Sequence, residues 1–450
     1  MRRFSLHCWS LLFGLLLPMG VVAQGPLTLR EAIQQALGES PEVKAAVAGS
    51  LEAKASASLA RTQLLPQVTF TEDISRGNDP VYVFGSKLRQ QRFTITDFDL
   101  GALNRPTPVG DFSSRFSGSW MAFDSFKTQK TIRSADLMRE SADSSATAVN
   151  QKVVLEVVQA YQSVLYAQRE IDIAQHEVDT AQALLDSVED HVKAGLAVES
   201  DRMSAEVSLA DRKQALIVAQ GERALGWAQM RVATGVSDLQ ETKLQPIEAH
   251  DFPESSLDQE IQTAAKRRAD LRAILEAQSA QASAVSAAKW SYGPRVNAYG
   301  NAEQDRRSFA GGGGNNWVAG VQISIDVLPF SKRAQLERES AAKSRVDAQF
   351  AAYEQQVRLQ VSQAHIQRQT AELSLVTARA AIDQATESLR ILRNRYGAGL
   401  ATITDLLRAE DAERQSQMNY WHAVYGNATA YAQLLFATGA LTPEAAEELQ

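Results

Sequence analysis

Two stretches of this 450-residue chain, Lys127 to Ala194 and Ser331 to Tyr396, contain neither glycine nor proline. Inside a helix glycine costs about 1 kcal/mol and proline about 3, so spans this long without either permit continuous rods. At 1.5 Å per residue each rod would run roughly 100 Å, many times the length of an ordinary globular helix. Each ends in the same turn, Ala194-Gly195-Leu196-Ala197 and Ala398-Gly399-Leu400-Ala401. The chain reads as a duplication built to span a distance.

Register supports the duplication. A shift of 204 positions places Gly195 on Gly399, Asp201 on Asp405, Ala205-Glu206 on Ala409-Glu410 and Ala233-Thr234-Gly235 on Ala437-Thr438-Gly439. Upstream of the rods the shift is 228, pairing Ile33-Gln34 with Ile261-Gln262, Ala45 with Ala273, Pro66 with Pro294 and Val68 with Val296. The difference, 228 − 204 = 24 residues, is extra chain in the first copy, between Val68 and the first rod.

Composition suits long helices more than a compact core, with aromatics at 7% and many Ala, Gln, Leu, Ser and Glu. The opening reads as a secretory leader over residues 1–23: Arg2-Arg3, an apolar run from Leu11 to Val22 interrupted by Pro18, then Ala23 before Gln24. A membrane anchor is the rival reading, but the run is shorter than the roughly 20 residues a bilayer requires. The single cysteine, Cys8, precedes the apolar run, so neither a lipid anchor nor a disulfide is expected in the exported chain. The formal net charge of −7 becomes −9 without Arg2 and Arg3 and gives no footprint for nucleic acid. Any membrane insertion of the exported chain therefore falls to strands.

Period-two alternation precedes each rod. Trp317, Ala319, Val321, Ile323 and Ile325 share one face, with Gln322, Ser324 and Asp326 on the other. In the first copy Phe116, Gly118, Trp120 and Ala122 alternate with Ser117, Ser119 and Met121. Partner strands start after Pro66 and Pro294. This predicts four strands, about 66–75, 115–126, 294–303 and 316–327, in two hairpins. One tip is the flexible-looking run Gly311-Gly312-Gly313-Gly314-Asn315-Asn316, and the other is the long segment Arg76 to Gly110, which holds the extra residues. A soluble sheet with one wet face would show the same alternation. If the sheet is lipid-facing, four strands cannot close it, because every edge must be paired and the smallest closed barrels have about eight strands. Copies must then share the barrel, and three copies, giving twelve strands, are the fewest that leave a passage.

Within the rods, Val154, Val157, Val158, Tyr161, Val164, Leu165 and Ile171, and then Val357, Val361, Ile366, Leu373, Val376, Ile382 and Leu389, recur at helical spacing. Ala160, Ala167, Ala174 and Ala181 are spaced by seven, the mark of a close-packed coiled coil. Periodicity alone favours a long antiparallel coiled-coil hairpin without a pore. Return helices are expected from Ser200-Asp201 and Thr404-Asp405 to near Gly235 and Gly439. The helices Glu31 to Leu64 and Leu257 to Trp290 have the length needed to complete the shorter arms.

The entry Leu27-Thr28-Leu29-Arg30-Glu31-Ala32, with Ala36-Leu37 and Ser40-Pro41-Glu42, resembles the opening motif of TolC-like outer membrane efflux proteins, although the residue before the proline is usually asparagine there. Arg395 to Leu407 and His191 to Asp201 are similar to that family's two periplasmic tips. The resemblance implies an α+β membrane protein: a duplicated helix-strand-strand-long helix-helix repeat, over residues 24–235 and 259–440, that trimerises into a twelve-stranded barrel above a twelve-helix periplasmic tunnel. Residues 236–258 would belong to a belt around the tunnel, leaving 441–450 as a short tail. It further implies an exit duct of a tripartite efflux or type I secretion system. Gly195, Leu196, Gly399, Leu400 and Tyr396 would meet a periplasmic adaptor joined to a proton-driven or ABC-type inner-membrane pump. Asp405 matches an acidic residue that narrows the tunnel entrance in some members. Arg408 stands where a second acid can follow, so a double acidic ring is not expected, and Asp201 is the first copy's equivalent of Asp405.

Little supports an enzyme. His176, His191, His250, His365 and His422 lack metal-ligand spacing, and the glycine run lacks the Gly-Lys-Ser/Thr of a phosphate loop. No cofactor or metal is expected. His176-Glu177 reads as a solvated pair on a rod, and Asp201 and Asp405 as helix caps or, for Asp405, a gate. A soluble periplasmic coiled-coil protein or adaptor is the remaining alternative, although adaptors carry one helical hairpin and this chain has two.

Overall fold

A computed structural model describes residues 26–247, 252–447 and 449. The leader, Cys8 and His250 lie outside the described residues.

The rods form as long helices, α5 (Lys127–Lys193) and α9 (Phe330–Gly397), of 67 and 68 residues. Their return partners are α6 (Glu199–Thr234) and α10 (Ile403–Ala437). The helices before the strands are not continuous. The first divides at Ser40 into α1 (Leu29–Glu39) and α2 (Pro41–Thr62), and the second at Arg268 into α7 (Leu257–Arg267) and α8 (Ala269–Trp290). Pro41 explains the first break, because it takes the residue before it out of helical geometry. Arg268 sits 228 positions after Ser40, so the duplication repeats the break without a proline.

Packing supplies the second cause. Gly235 and Gly439, the C-terminal glycines of the returning helices, have φ of +73° and +69° and press against these breaks. A Cβ on Gly235 would lie 2.7 Å from Ser40 Cα, and one on Gly439 would lie 2.7 Å from Arg268 N. Arg268, nearly buried, bonds Asp270 at 2.6 Å and the Ala437 carbonyl at 3.2 Å.

Each short arm is thereby completed. α5 packs against α6 over its tip half and α2 over its other half, and α9 packs likewise against α10 and α8. Contacts of α5 with α8 and α10 join the two repeats side by side. The heptad column of α5 is covered throughout: Val153, Ala160, Ala167, Ala174, Ala181 and Val188 are all buried. A 3.5-residue period held this long imposes left-handed supercoiling.

Where the halves meet lies the largest apolar cluster, with Leu29, Ile33, Tyr161, Trp227, Met230, Leu244, Phe252 and Tyr431. Tyr161 donates from its hydroxyl to the Leu27 carbonyl at 2.8 Å and is 2.9 Å from the Gln245 carbonyl, tying residues 27 and 245 to the rod. The described part of residues 441–450 is packed. α11 (Pro443–Glu447) packs on α1, and Leu441, Ala446 and Leu449 are fully buried.

The strands β1 (Gln67–Gly77), β2 (Val109–Phe123), β3 (Arg295–Arg306) and β4 (Gly313–Ser324) make one antiparallel sheet in order β1-β2-β3-β4. It is continuous rather than two hairpins, because β2 and β3 pair across the repeats. Gly313 and Gly314 are strand residues, which corrects the reading of the glycine run as a flexible loop. Gly314 is needed for close approach, since a Cβ there would lie 1.9 Å from the Arg89 carbonyl. The extra segment of the first copy folds as α3 (Pro80–Arg89), a 3-10 turn at Ile95–Phe98 and α4 (Leu100–Asn104).

Candidate functional site

Three features could carry function: the tip of the helical hairpins, their lateral edges, and the two faces of the sheet. At the tip, Gly195 and Gly399 both have φ +72°, the left-handed conformation that only glycine adopts without strain. The bond from Leu196 N to the His191 carbonyl, and its counterpart from Leu400 N to the Arg395 carbonyl, both 2.8 Å, are the six-to-one links of a Schellman cap. The cap turns Leu196 and Leu400 outward, 78% and 69% exposed.

Tyr396 is placed differently from these leucines. It is half-buried in the cluster that joins the hairpins through Leu185, Val188, Leu209 and Ile403. Burial and, secondarily, the Asp201 carboxylate push its phenol up, so Asp201 of one hairpin faces Tyr396 of the other.

Asp405 is a cap. Thr402 Oγ1 accepts from Asp405 N at 3.2 Å while Asp405 Oδ2 accepts from Thr402 N at 3.2 Å, a reciprocal capping box. The Thr402 hydroxyl, donating to Asp405 Oδ2 at 2.7 Å, and then the Thr402 backbone N–H hold the carboxyl below the usual range, with Arg408 and Arg395 adding a weaker pull. Asp201 differs: Val198 occupies the equivalent N-cap without a side-chain bond, so Asp201 contributes first-turn charge and does not cap.

A partly buried ionic junction above the tip escapes the sequence reading. Arg212 on α6 reaches Asp411 on α10 at 2.7 Å and Glu177 on α5 at 3.5 Å, and Arg393 on α9 lies 3.5 Å from Glu410 on α10. Glu177 is buried, which corrects its reading as solvated; His176 beside it is exposed. Burial pushes the Glu177 and Glu410 carboxyls up. The available signal was that charged residues recur where the α6 and α10 apolar columns lapse.

The apolar stripe read on the second rod divides. Val357, Val361 and Leu389 are covered, whereas Ile366, Leu373 and Val376 are exposed. With Leu359 they form a second column, Leu359-Ile366-Leu373, also spaced by seven. The opposite edge, α6, exposes Val218, Leu225 and Val232, again seven apart. Two uncovered coiled-coil columns therefore flank each chain.

The sheet's faces differ as alternation requires. The register aligns Phe70, Phe116, Ala302 and Trp317 in one row and Val68, Gly118, Gly300 and Ala319 in the next, an exposed apolar face continued by Trp120, Val321 and Ile323. The other face aligns Thr71, Arg115, Glu303 and Asn316, then Asp73, Ser113, Asp305 and Gly314. Arg115 grips Glu303 with two bonds of 3.0 Å. Both edge strands, β1 and β4, present an unpaired side. Among the described residues no helix is long and apolar enough to cross a membrane, and no acidic, histidine or cysteine cluster could hold a metal ion.

This architecture is that of outer membrane efflux channels. The chain belongs to the outer membrane efflux protein family, whose profile matches residues 32–236 and 261–440, the two repeats. Protein CyaE of Bordetella pertussis is 25% identical over 434 residues, covering 92% of this chain and 84% of that one. The fold matches the CmeC outer membrane channel of Campylobacter jejuni with a TM-score of 0.78 and 16% identity, over 92% of this chain and 85% of that one. It matches the outer membrane protein VceC of Vibrio cholerae with a TM-score of 0.76 and 17% identity, over 91% and 96%.

Proposed function

We propose that the chain is one third of a passive duct through the outer membrane and periplasm, with β1 to β4 contributing to a twelve-stranded barrel and four helix positions to a twelve-helix tunnel. The observation that carries this reading is the pair of open flanks. A sheet with both edges unpaired is joined to a helical layer with uncovered heptad columns on both edges. The two flanks are unlike, so copies associate head to tail, which closes into a ring when the rotation permits. In a ring, β4 of one copy runs antiparallel to β1 of the next, continuing the alternation. Three copies give twelve strands and leave a passage, whereas two leave a side-chain-filled barrel.

In this reading the protein is exported by its leader, is not lipidated, and sits in the outer membrane with the helices in the periplasm. Substrates arrive from an inner-membrane pump, proton-driven or ABC-type, through a periplasmic adaptor that grips the tips at Gly195-Leu196 and Gly399-Leu400. Energy comes from the pump. Asp405, flanked by Arg408, lies at the tunnel entrance.

The test is the mass of the detergent-solubilised particle together with its conductance in a planar bilayer. Three chains per particle and a discrete channel are expected. A water-soluble monomer without conductance would overturn the duct and favour a periplasmic coiled-coil or adaptor protein. At the tip, Gly399→Glu should weaken adaptor cross-linking while leaving trimers intact; unchanged export and cross-linking would remove the glycine turn from the docking surface.

A further inference from the structure

The corner between β2 and α5 is strained. Ser125 and Phe126, neither of them glycine, take φ of +58° and +65°, a region that bulky side chains rarely enter. Asp124 holds the turn by accepting from Thr128 N at 2.8 Å, and Ser125 donates to the Pro294 carbonyl at 2.7 Å. A Cβ on Gly293 would lie 2.1 Å from Ser125 Oγ, so glycine there makes room for the corner. Strain of this kind persists only where the surroundings hold it, and it gathers where a fold serves a ligand.

What the corner presents is a set of rings on the apolar side of the sheet. A bulge between Met121 and Phe123 brings Phe123 opposite Val296, in the row that Ile323 completes. The Phe123 ring meets Phe126 edge to face at 5.5 Å, and Phe126 meets Trp290, the last residue of α8, at 6.1 Å. Phe123, Phe126 and Trp290 remain 40%, 52% and 48% exposed. Because β2 and β3 are the inner strands of the sheet, this patch lies away from the edges at which copies would join. Its partner is something other than a second copy.

Charge says what that partner is. The chain carries a formal net charge of −7, yet around the four strand–helix junctions, residues 58–68, 120–133, 286–295 and 325–334, eight Lys and Arg stand against Asp124 and Asp326 alone. At the opposite ends of the strands, residues 73–79, 108–113 and 303–314, three stand against five acids. Five of the eight junction cations are paired: Arg61 with Asp136, Arg133 with Glu140, Arg295 and Lys332 with Asp326, and Arg333 with Glu337. Among the described residues the other three, Lys127, Lys130 and Lys289, have no such pair. These three flank the rings, Lys127 following Phe126, Lys130 one turn further along α5, and Lys289 preceding Trp290. Lys127 and Lys130 also stand at the positive end of the α5 dipole, which disfavours cations, and no acid occupies the first turn of that helix. An anion at the corner offsets both.

We propose that Phe123, Phe126 and Trp290, with Lys127, Lys130 and Lys289, bind an anionic phospholipid of the leaflet facing the periplasm, its acyl chains on the rings and its headgroup phosphate on the lysines. The rings continue the apolar face of the sheet, amphipathic aromatic side chains suit the depth of the headgroups, and each basic side chain near an anionic surface adds to the attraction. The inference rests on the duct reading, which sets the strand–helix junctions at that leaflet.

The test is native mass spectrometry of the full-length, detergent-solubilised particle incubated with equal amounts of phosphatidylglycerol and phosphatidylcholine. The unaltered chain should retain phosphatidylglycerol at least several-fold over phosphatidylcholine. Lys127→Gln, Lys130→Gln and Lys289→Gln together should bring the two lipids to parity, whereas Lys127→Arg, Lys130→Arg and Lys289→Arg should keep the preference. Arg76→Gln with Arg307→Gln, at the other end of the sheet, should leave it unchanged. Phe126→Asn, which suits the left-handed backbone, should reduce retention of both lipids. Equal retention by the unaltered chain, a preference that survives the three glutamines, or retention indifferent to Phe126→Asn overturns the site. The same spectra count the chains: trimers that hold both lipids alike refute the site alone, whereas a monomer that holds neither refutes the duct.

Discussion

At the residue scale, the glycines that end the returning helices are constrained twice, by a left-handed backbone and by a neighbour with no room for a methyl. Gly439→Ala adds a Cβ 2.8 Å or less from backbone atoms of Arg267 and Arg268 and a strained φ. Strain of this kind costs about 1 to 3 kcal/mol per residue, so a thermal melt of the variant should fall by several degrees. Asp405→Ala removes the carboxylate half of the capping box and the only acid of its first turn, leaving the backbone bond to Thr402 Oγ1; fraying there should raise the resting conductance of reconstituted channels, and an unaltered closed state would dismiss Asp405 as a gate.

Glu410 carries a pH prediction at the same scale. Its carboxyl faces Arg393, Arg212 and Asp411, and burial raises it above the ordinary 4.5. Between 4.5 and the raised value the folded chain binds more protons than the unfolded one, so this group's contribution to stability grows as pH falls through that window and is lost as pH rises above it. Glu410→Gln should flatten the difference in melting temperature between neutral and mildly acid buffer. A slope equal to wild type would show that Glu410 is not the responsive group.

At the element scale, the helices show which features were legible in the chain itself. The rods and their tips could be read because absence of glycine and proline, heptad spacing and a repeated turn are local signals. The breaks at Ser40 and Arg268 could be read only in part. Pro41 announces the first, but nothing around Arg268 does, because that break is set by the end of α10 arriving beside it. Glu177 was misread for the same reason: its partner Arg212 stands on another helix, and burial of a charge by a neighbouring helix leaves no periodic trace. The outer column Leu359-Ile366-Leu373 could have been separated from the inner one by register alone, since 357 and 359 cannot share a seam. Its exposure makes a direct prediction. Replacing Ile366 and Leu373 by lysine removes about 1.5 to 3 kcal/mol of burial per side chain from each subunit contact, so trimers should dissociate in mild detergent while far-UV circular dichroism stays helical.

For the whole molecule, the duplicated order of elements outweighed any single motif, and it is what the family profile matches. The strands were found because alternation survives in both copies, yet their ends were not: β2 starts at Val109, well before the expected 115, because pairing with β1 and β3 recruits polar residues that alternation does not mark. The inserted segment was the least legible part, since three short helices capped by Asp79, Thr94 and Asp99 acquire a position only from the sheet beneath them.

One consequence follows from the end-to-end meeting of helices at the middle of the chain. Where α6 halts against Ser40 and α10 against Arg268, only α5 and α9 run uninterrupted from strand to tip. Each chain is in effect a pair of unbroken masts whose shorter stays are jointed at mid-height. The lower rigging can slacken and let the masts splay without any bond of the sheet above being surrendered.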